Sequence, residues 1–338
     1  MRWGRVLLCS LSVALALGMA SPEARSEATE LRISKGYGIH YLPLYVMEHE
    51  KLVEKHAKAL GLGDITVTSP IFDGGNVIND AMLSGALDIA PIGVPGFLTL
   101  WDKAKGNPRL EIEGLGAVGA GAVYLNTRNP DVKTLADFKS SDKIALPGIK
   151  TSTNAVILQM AAAHEFGDAN YAKLDPLTVG MPYPEAFAAL VSGKTEITAH
   201  LASPPFSLLE LDHPEIHRVF SSGDLLGNLT MIMAYETKQF HDKNPKLTQA
   251  FIDALQEAAD FITHDPQAAA QIYIELAKVK MTEPEALRIV TDPNTHFTVT
   301  PEGIMKYADF MHRAGTIKKQ PADWKELFFP EVQDRPGS

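Results

Sequence analysis

Ala81 to Phe97, AMLSGALDIAPIGVPGF, decides the fold, because it returns in altered form at Ala189 to Phe206, ALVSGKTEITAHLASPPF. In each copy the end of an apolar helix runs into Ser-Gly (Ser84-Gly85, Ser192-Gly193), and an acidic residue, Asp88 or Glu196, follows three positions after the glycine. A glycine just past a helix accepts the left-handed cap conformation at little cost, so a strand starts at once. The strands read as Ile89 to Ile92 and Ile197 to Ala199, each leading into a Gly/Pro/Ser turn that opens another helix. In parallel α/β sheets, ligands bind outside the carboxyl ends of the strands. Gly93-Val94-Pro95-Gly96 and Ala202-Ser203-Pro204-Pro205 hold that position, one in each half, so the repeat predicts a ligand held between two lobes.

The remaining sequence is compatible with two such lobes. Its 338 residues suffice for two domains of about 100 to 200 residues each. Hydrophobic and charged contents of 45% and 21% place it among globular chains rather than disordered ones. Arg2 and Arg5 precede an apolar run from Val6 to Ala20, with small residues at Ala20, Ala24 and Ala28 as candidate cleavage points. That is the layout of a secretory signal peptide, expected to span residues 1–28 with Ser26-Glu27-Ala28 as the favoured cleavage site. Cys9, the sole cysteine, lies inside this segment, so the exported chain would have no disulfide, thiolate metal site or cysteine nucleophile. Removing residues 1–28 takes away Arg2, Arg5, Arg25, Glu23 and Glu27 and leaves a net charge of −11. Such an acidic protein is a poor partner for nucleic acid or an anionic membrane surface. No later stretch reaches the roughly 18 apolar residues of a membrane span, so no direct membrane anchor is expected.

Along the chain, Leu31 to Ser34 reads as the first strand, leaving at Lys35-Gly36-Tyr37-Gly38, and Pro43 stands in the first turn of a helix to about Leu60. Ile65 to Ile71 is a second strand ending at Phe72-Asp73-Gly74-Gly75. Leu110 to Val118 is a strand whose glycine-rich continuation to Gly121 points to close backbone packing. Val123 to Leu125 leads into the second lobe, with strands at Lys143 to Leu146, Leu177 to Val179 and His217 to Ser221. Leu229 to Tyr235 is the return crossing, and the helices that follow, Pro245 to Thr263, Pro266 to Lys278, Glu283 to Thr291 and Pro301 to Ala314, are expected to cover the first lobe. The predicted organisation is a discontinuous lobe of residues 29–122 plus 230–338 and a continuous one of residues 123–229.

Candidate binding residues follow from these loops. Thr151, Ser152 and Thr153 open a helix, where hydroxyls and unpaired amides attract polar or anionic groups. Gly74 and Gly75 offer bare amides before another helix, and Gly93, Val94 and Ser203 belong to the repeated turns. Tyr37, His40 and Tyr41 in the first strand-to-helix loop, with Tyr183 in the corresponding loop of the other half, place rings where they would sandwich a ligand. His200 falls at the end of the repeated strand. Asp88 and Glu196 start their strands, far from the binding ends, which gives them structural roles. His49 and His56 share a solvated helix face, and Pro214 spoils a helical metal pair of His213 and His217. G-x-S-x-G, H-E-x-x-H, P-loop and G-x-G-x-x-G patterns are absent from the sequence, so no enzyme, metal or cofactor is expected.

Taken in order, GYGIHYLPLYVMEHEKLVEK after the first strand, AMLSGALDIAPIG, the Leu135 to Phe138 and Lys143 to Gly148 segments, and AALVSGKTEITAH identify a resemblance. The chain resembles the NMT1/SsuA/THI5-like family, the nitrate/sulfonate/taurine class of periplasmic substrate-binding proteins of ABC importers. The resemblance implies a type II-like, two-lobed α/β periplasmic-binding-protein fold, each lobe a mixed sheet flanked by helices, with the cleft between them. It implies a monomer that captures a small-molecule ligand in the periplasm and delivers it to an ABC permease and its ATPase. A pyrimidine or thiamine-precursor ligand is the alternative within the fold, and a sensory module the alternative outside transport. Family members that use a cleft arginine find no counterpart here: the strand-end loops contain none, and Lys35 is the nearest cation.

Overall fold

The computed structural model describes residues 26–72, 75–150, 152–277 and 280–338. The expected signal peptide lies outside them as far as residue 25.

Two β-sheets define two lobes. In the first, β1 (Glu30–Arg32) is followed by α1 (Leu42–His49), α2 (Leu52–Ala59), β2 (Thr66–Thr68), α3 (Gly75–Leu83), β3 (Ile89–Gly93), α4 (Val94–Ala104) and β4 (Ile112–Gly121). The second contains β5 (Tyr124–Thr127), β6 (Ile144–Leu146), α5 (Thr153–Phe166), β7 (Thr178–Gly180), α6 (Tyr183–Ser192), β8 (Ala199–Ala202), α7 (Phe206–Glu210), β9 (His217–Ser221) and α8 (Ser222–Leu226). The chain then returns through β10 (Leu229–Thr237), α9 (Lys238–Lys243), α10 (Pro245–His264), α11 (Pro266–Ala277), α12 (Glu283–Val290), β11 (Thr295–His296) and α13 (Ile304–Arg313).

The first sheet has the order β11-β4-β10-β3, all antiparallel. A parallel pair, β1 with β2, joins its β3 side through the Ile33–Ile89 bridge. The second sheet has the order β7-β6-β8-β5-β9, parallel at β7, β6 and β8 and antiparallel at β5 and β9. Both lobes are therefore mixed, and α10 and α11 pack on α1 as the late helices were expected to do.

Local sequence explains the joints. Gly85 and Gly193 both take positive φ, 72° and 58°, as the repeated Ser-Gly predicts. At Gly119 a side chain would meet the His40 backbone, its Cβ falling 2.6 Å from the His40 carbonyl. That close approach seats the first strand-to-helix loop directly on β4. The single helix expected over residues 43–60 is instead two, because Lys51 adopts φ 51° and interrupts the hydrogen-bond ladder. The turn lets Leu52 and Val53 enter the core.

The Glu27 carboxylate accepts from the Lys246 and Leu247 amides at 3.2 and 2.9 Å, capping the start of α10, and the Ala28 amide donates to Asn244 Oδ1. A cut after Ala28 removes this cap, whereas Ala20 or Ala24 leaves it in place.

Candidate functional site

The two repeated turns open onto the same space. Gly93, at the end of β3, and Ser203, just past β8, both line a cavity of ≈ 340 Å³ between the lobes. They are joined there by Gly36, Tyr37, His40 and Tyr41 from the first loop, Gly148, Ser152 and Thr153 before and at the start of α5, and Tyr183 at the start of α6. The lobes touch across it. The Ile39 amide donates to the Pro204 carbonyl at 3.0 Å, and a Cβ added to Gly93 would fall 2.1 Å from Thr153 Oγ1.

The second-lobe wall is a hydrogen-bonded polar surface. Ser152 Oγ donates to the Gly148 carbonyl at 2.7 Å and accepts from the Ala155 amide at 3.1 Å, so it caps α5 while facing the cavity. Asn154 anchors the wall: its Nδ2 donates to the Leu201 carbonyl at 2.7 Å, and its Oδ1 accepts from the Tyr183 hydroxyl. That hydroxyl also lies 3.2 Å from Ser203 Oγ. Burial, offset by these hydrogen bonds, pushes the Tyr183 phenol up, so it is neutral and a donor at physiological pH.

The first-lobe wall is mostly apolar, formed by Phe72, Val77, Ile78, Ile92, Met231 and Ile232, with Asn79 and Thr99 as its polar points. Asn79 Oδ1 accepts from Tyr235 at 2.7 Å, and Thr99 donates to the Pro95 carbonyl. His40 is buried and its pKa is lowered to about 3, by desolvation first and then by His296. The imidazole is therefore uncharged. Tyr37 lines the cavity while remaining 40% exposed.

Several expected residues fall elsewhere. His200 does not line the cavity: β8 begins at Ala199 rather than ending there, so His200 sits inside the strand and bonds Glu210 on α7 at 2.5 Å, both fully buried. Val94 is fully buried in the first turn of α4 and packs into the core rather than toward the cavity. Gly75 is the first residue of α3, while Gly74 and Thr151 lie outside the described residues. Lys35 points away, its ammonium paired with Glu48 and 4.7 Å from the Tyr45 ring centre; burial pushes its pKa down to about 8. Asp88 is structural, holding Arg32 through both carboxylate oxygens at 2.6 and 2.9 Å, and Glu196 is exposed. The two histidine pairs also separate: His49 bonds Glu50, His56 bonds Glu257, His213 packs on Phe187, and His217 bonds the Val132 carbonyl. No group of three or more metal-ligating side chains occurs among the described residues. Asn154, Asn79, Phe72, Met231 and Ile232 were missed as lining residues. Asn154 stood next to the expected Thr151 to Thr153 run, and Met231 and Ile232 lie on the return strand, where hydropathy alone reads as core.

A sequence profile described as the NMT1-like family matches residues 24–277. The chain belongs to the NMT1-like family. A Brucella abortus (strain 2308) relative carrying the provisional name of a binding protein is 25% identical over 325 residues, covering 94% of this chain and 91% of the relative. Among solved structures, the periplasmic aliphatic sulphonate binding protein SsuA from Escherichia coli superposes with a TM-score of 0.66 at 16% identity, covering 90% of this chain and 99% of SsuA. The periplasmic nitrate-binding protein NrtA from Synechocystis PCC 6803 gives 0.70 at 14% identity, covering 91% and 88%. This NMT1-like chain thus has the two-lobed periplasmic-binding-protein fold. No helix among the described residues is long and apolar enough to cross a membrane.

Proposed function

We propose that this NMT1-like protein is the substrate-binding component of an ABC importer, a non-enzymatic periplasmic monomer that closes on a small molecule and presents it to a permease and its ATPase. The observation that carries the reading is the single cavity shared by the two repeated turns, with Gly93 and Thr153 in contact range across it. Residues 29–122 with 230–338 form one lobe in this reading and residues 123–229 the other. The two crossings, near Val123 and near Leu229, act as the hinge. Oxyanion ligands of the sulfonate and nitrate class and pyrimidine-type rings are the candidate cargoes, the rings being favoured by Tyr37, Tyr41, Phe72 and Tyr183 around the cavity.

The test is a melting-temperature screen of sulfonates, nitrate, carboxylates and pyrimidines, followed by solution scattering with the best hit. A ligand that raises the melting temperature and shrinks the radius of gyration supports a closing receptor. Turnover of a bound compound, or binding with no compaction, refutes it.

A further inference from the structure

The cavity walls differ in chemistry in a way that selects among those cargoes. Among the described lining residues there is no Arg, Lys, Asp or Glu, and His40, the one other titratable nitrogen base, is uncharged. Lys35 is paired with Glu48, and Lys150 is exposed and acts electrostatically on Asp175. An anion entering this space gives up its hydration without a countercharge. The dipole at the start of α5 offsets only a small part of the desolvation penalty of an ion. The acidic protein as a whole, with a formal net charge of −10, adds repulsion.

What the walls do offer is complementary to an amphipathic solute. Phe72, Val77, Ile78, Ile92, Met231 and Ile232 form one face, and the Ser152, Asn154, Tyr183 and Ser203 side chains form the other. At ≈ 340 Å³ the cavity has the volume of roughly eleven water molecules, far more than a four-atom nitrate fills.

We infer that the cleft takes an uncharged, ring-bearing molecule that lies with its apolar face on the first lobe and its hydrogen-bonding edge on the α5 and α6 starts of the second. This rests on the receptor reading above and narrows its substrate class. Hydroxyl and amide groups of the second-lobe wall discriminate by donor and acceptor pattern, and the first-lobe wall rewards apolar area.

Calorimetric titration of the exported protein with matched probes tests it: nicotinamide against nicotinate and 3-(aminomethyl)pyridine, and toluenesulfonamide against toluenesulfonate. The neutral member should bind at least tenfold more tightly in each set. Equal or tighter binding of an anion or the cation overturns the inference while leaving the receptor reading intact, provided scattering still shows compaction. If no member binds or compacts the protein, both fail. Val77 lines the cavity yet is 49% exposed, so Val77→Arg brings a guanidinium to its edge without disturbing the core. In that variant the preference should move at least tenfold toward the anions. An unchanged preference means the probes bind elsewhere, which also overturns the inference.

Discussion

Gly93 and Thr153 show how a single missing side chain shapes the cleft. Gly93→Ala puts a methyl group 2.1 Å from Thr153 Oγ1, and relieving that overlap costs about 1 to 3 kcal/mol in a packed contact. The lobes are expected to part, giving a larger radius of gyration, and Gly93→Ala with Thr153→Ala should restore the compact value. An unchanged radius in the single variant would show that the contact does not control closure. Glu27 bears on processing. Because its carboxylate caps α10, the mature chain should retain it, and the intact mass of the exported protein should correspond to a start after Ala20 or Ala24. Glu27→Ala should lower stability by about 1 kcal/mol, as loss of a helix cap does. A mature protein beginning at Thr29 would refute the assignment. Ser84-Gly85 and Ser192-Gly193 were legible because a left-handed cap leaves glycine as the cheap solution. His200 was misread for an equally local reason: placing the strand two residues early turns an interior position into an apparent mouth residue.

At the scale of elements, α5 is the part most closely tied to the site. It is buried from Thr153 to Ala163, with no solvated face, because it lies between its own sheet and α4 and α13 of the first lobe. Asn154 links this helix to β8 through the Leu201 carbonyl and to α6 through Tyr183. Asn154→Leu removes both bonds and leaves the Leu201 carbonyl unpaired in a buried place, a loss of about 1 to 3 kcal/mol. Its melting temperature should drop, and binding of any ligand held at the second-lobe wall should weaken further than stability alone requires. Equal binding would remove the wall from the site. The apolar sequence of α5 marked it as a helix but not as an interlobe one, since periodicity reports that a face is buried and not what buries it.

For the molecule as a whole, two buried groups set opposing pH dependences. His40 has its pKa lowered to about 3 by burial, so between pH 3 and 6.5 the unfolded chain binds the extra proton; the stability from neutral His40 is complete above 6.5 and lost as pH falls. Glu236, raised to about 8 by desolvation against its hydrogen bond from Thr248, holds its proton in the folded state. Its contribution is complete below pH 4.5 and lost as pH rises to 8. The two oppose each other from 4.5 to 6.5, leaving a plateau, and Glu236 dominates above it. The melting temperature should therefore fall from pH 6.5 to 8, and Glu236→Gln, which keeps an acceptor for Thr248, should flatten that limb. An unaltered limb in the variant would show that another group causes it. An ion pair joins the late helices to the second sheet's side of the molecule: Arg288 on α12 donates to both oxygens of Asp212, just past α7, at 3.0 and 2.8 Å. An exposed pair of this kind contributes about 0 to 1 kcal/mol, so Arg288→Ala should enlarge the unliganded radius of gyration slightly at low salt, with the difference vanishing at high salt. A difference that persists in high salt would exclude an ionic origin.

By itself the sequence determined the local elements, the order of the two halves, the loops at the strand ends and the family, because caps, apolar periods and turn residues act over a few neighbouring positions. Only the tertiary structure decided which side chains of those loops face one another. His200 and Ser203 are three residues apart and both approach Tyr183, yet His200 is sealed inside β8 against Glu210 while Ser203, just past the strand, opens onto the cavity. Gly93 meeting Thr153, and Asp212 meeting Arg288, depend on how separately formed lobes come together, and no local pattern contains that distance.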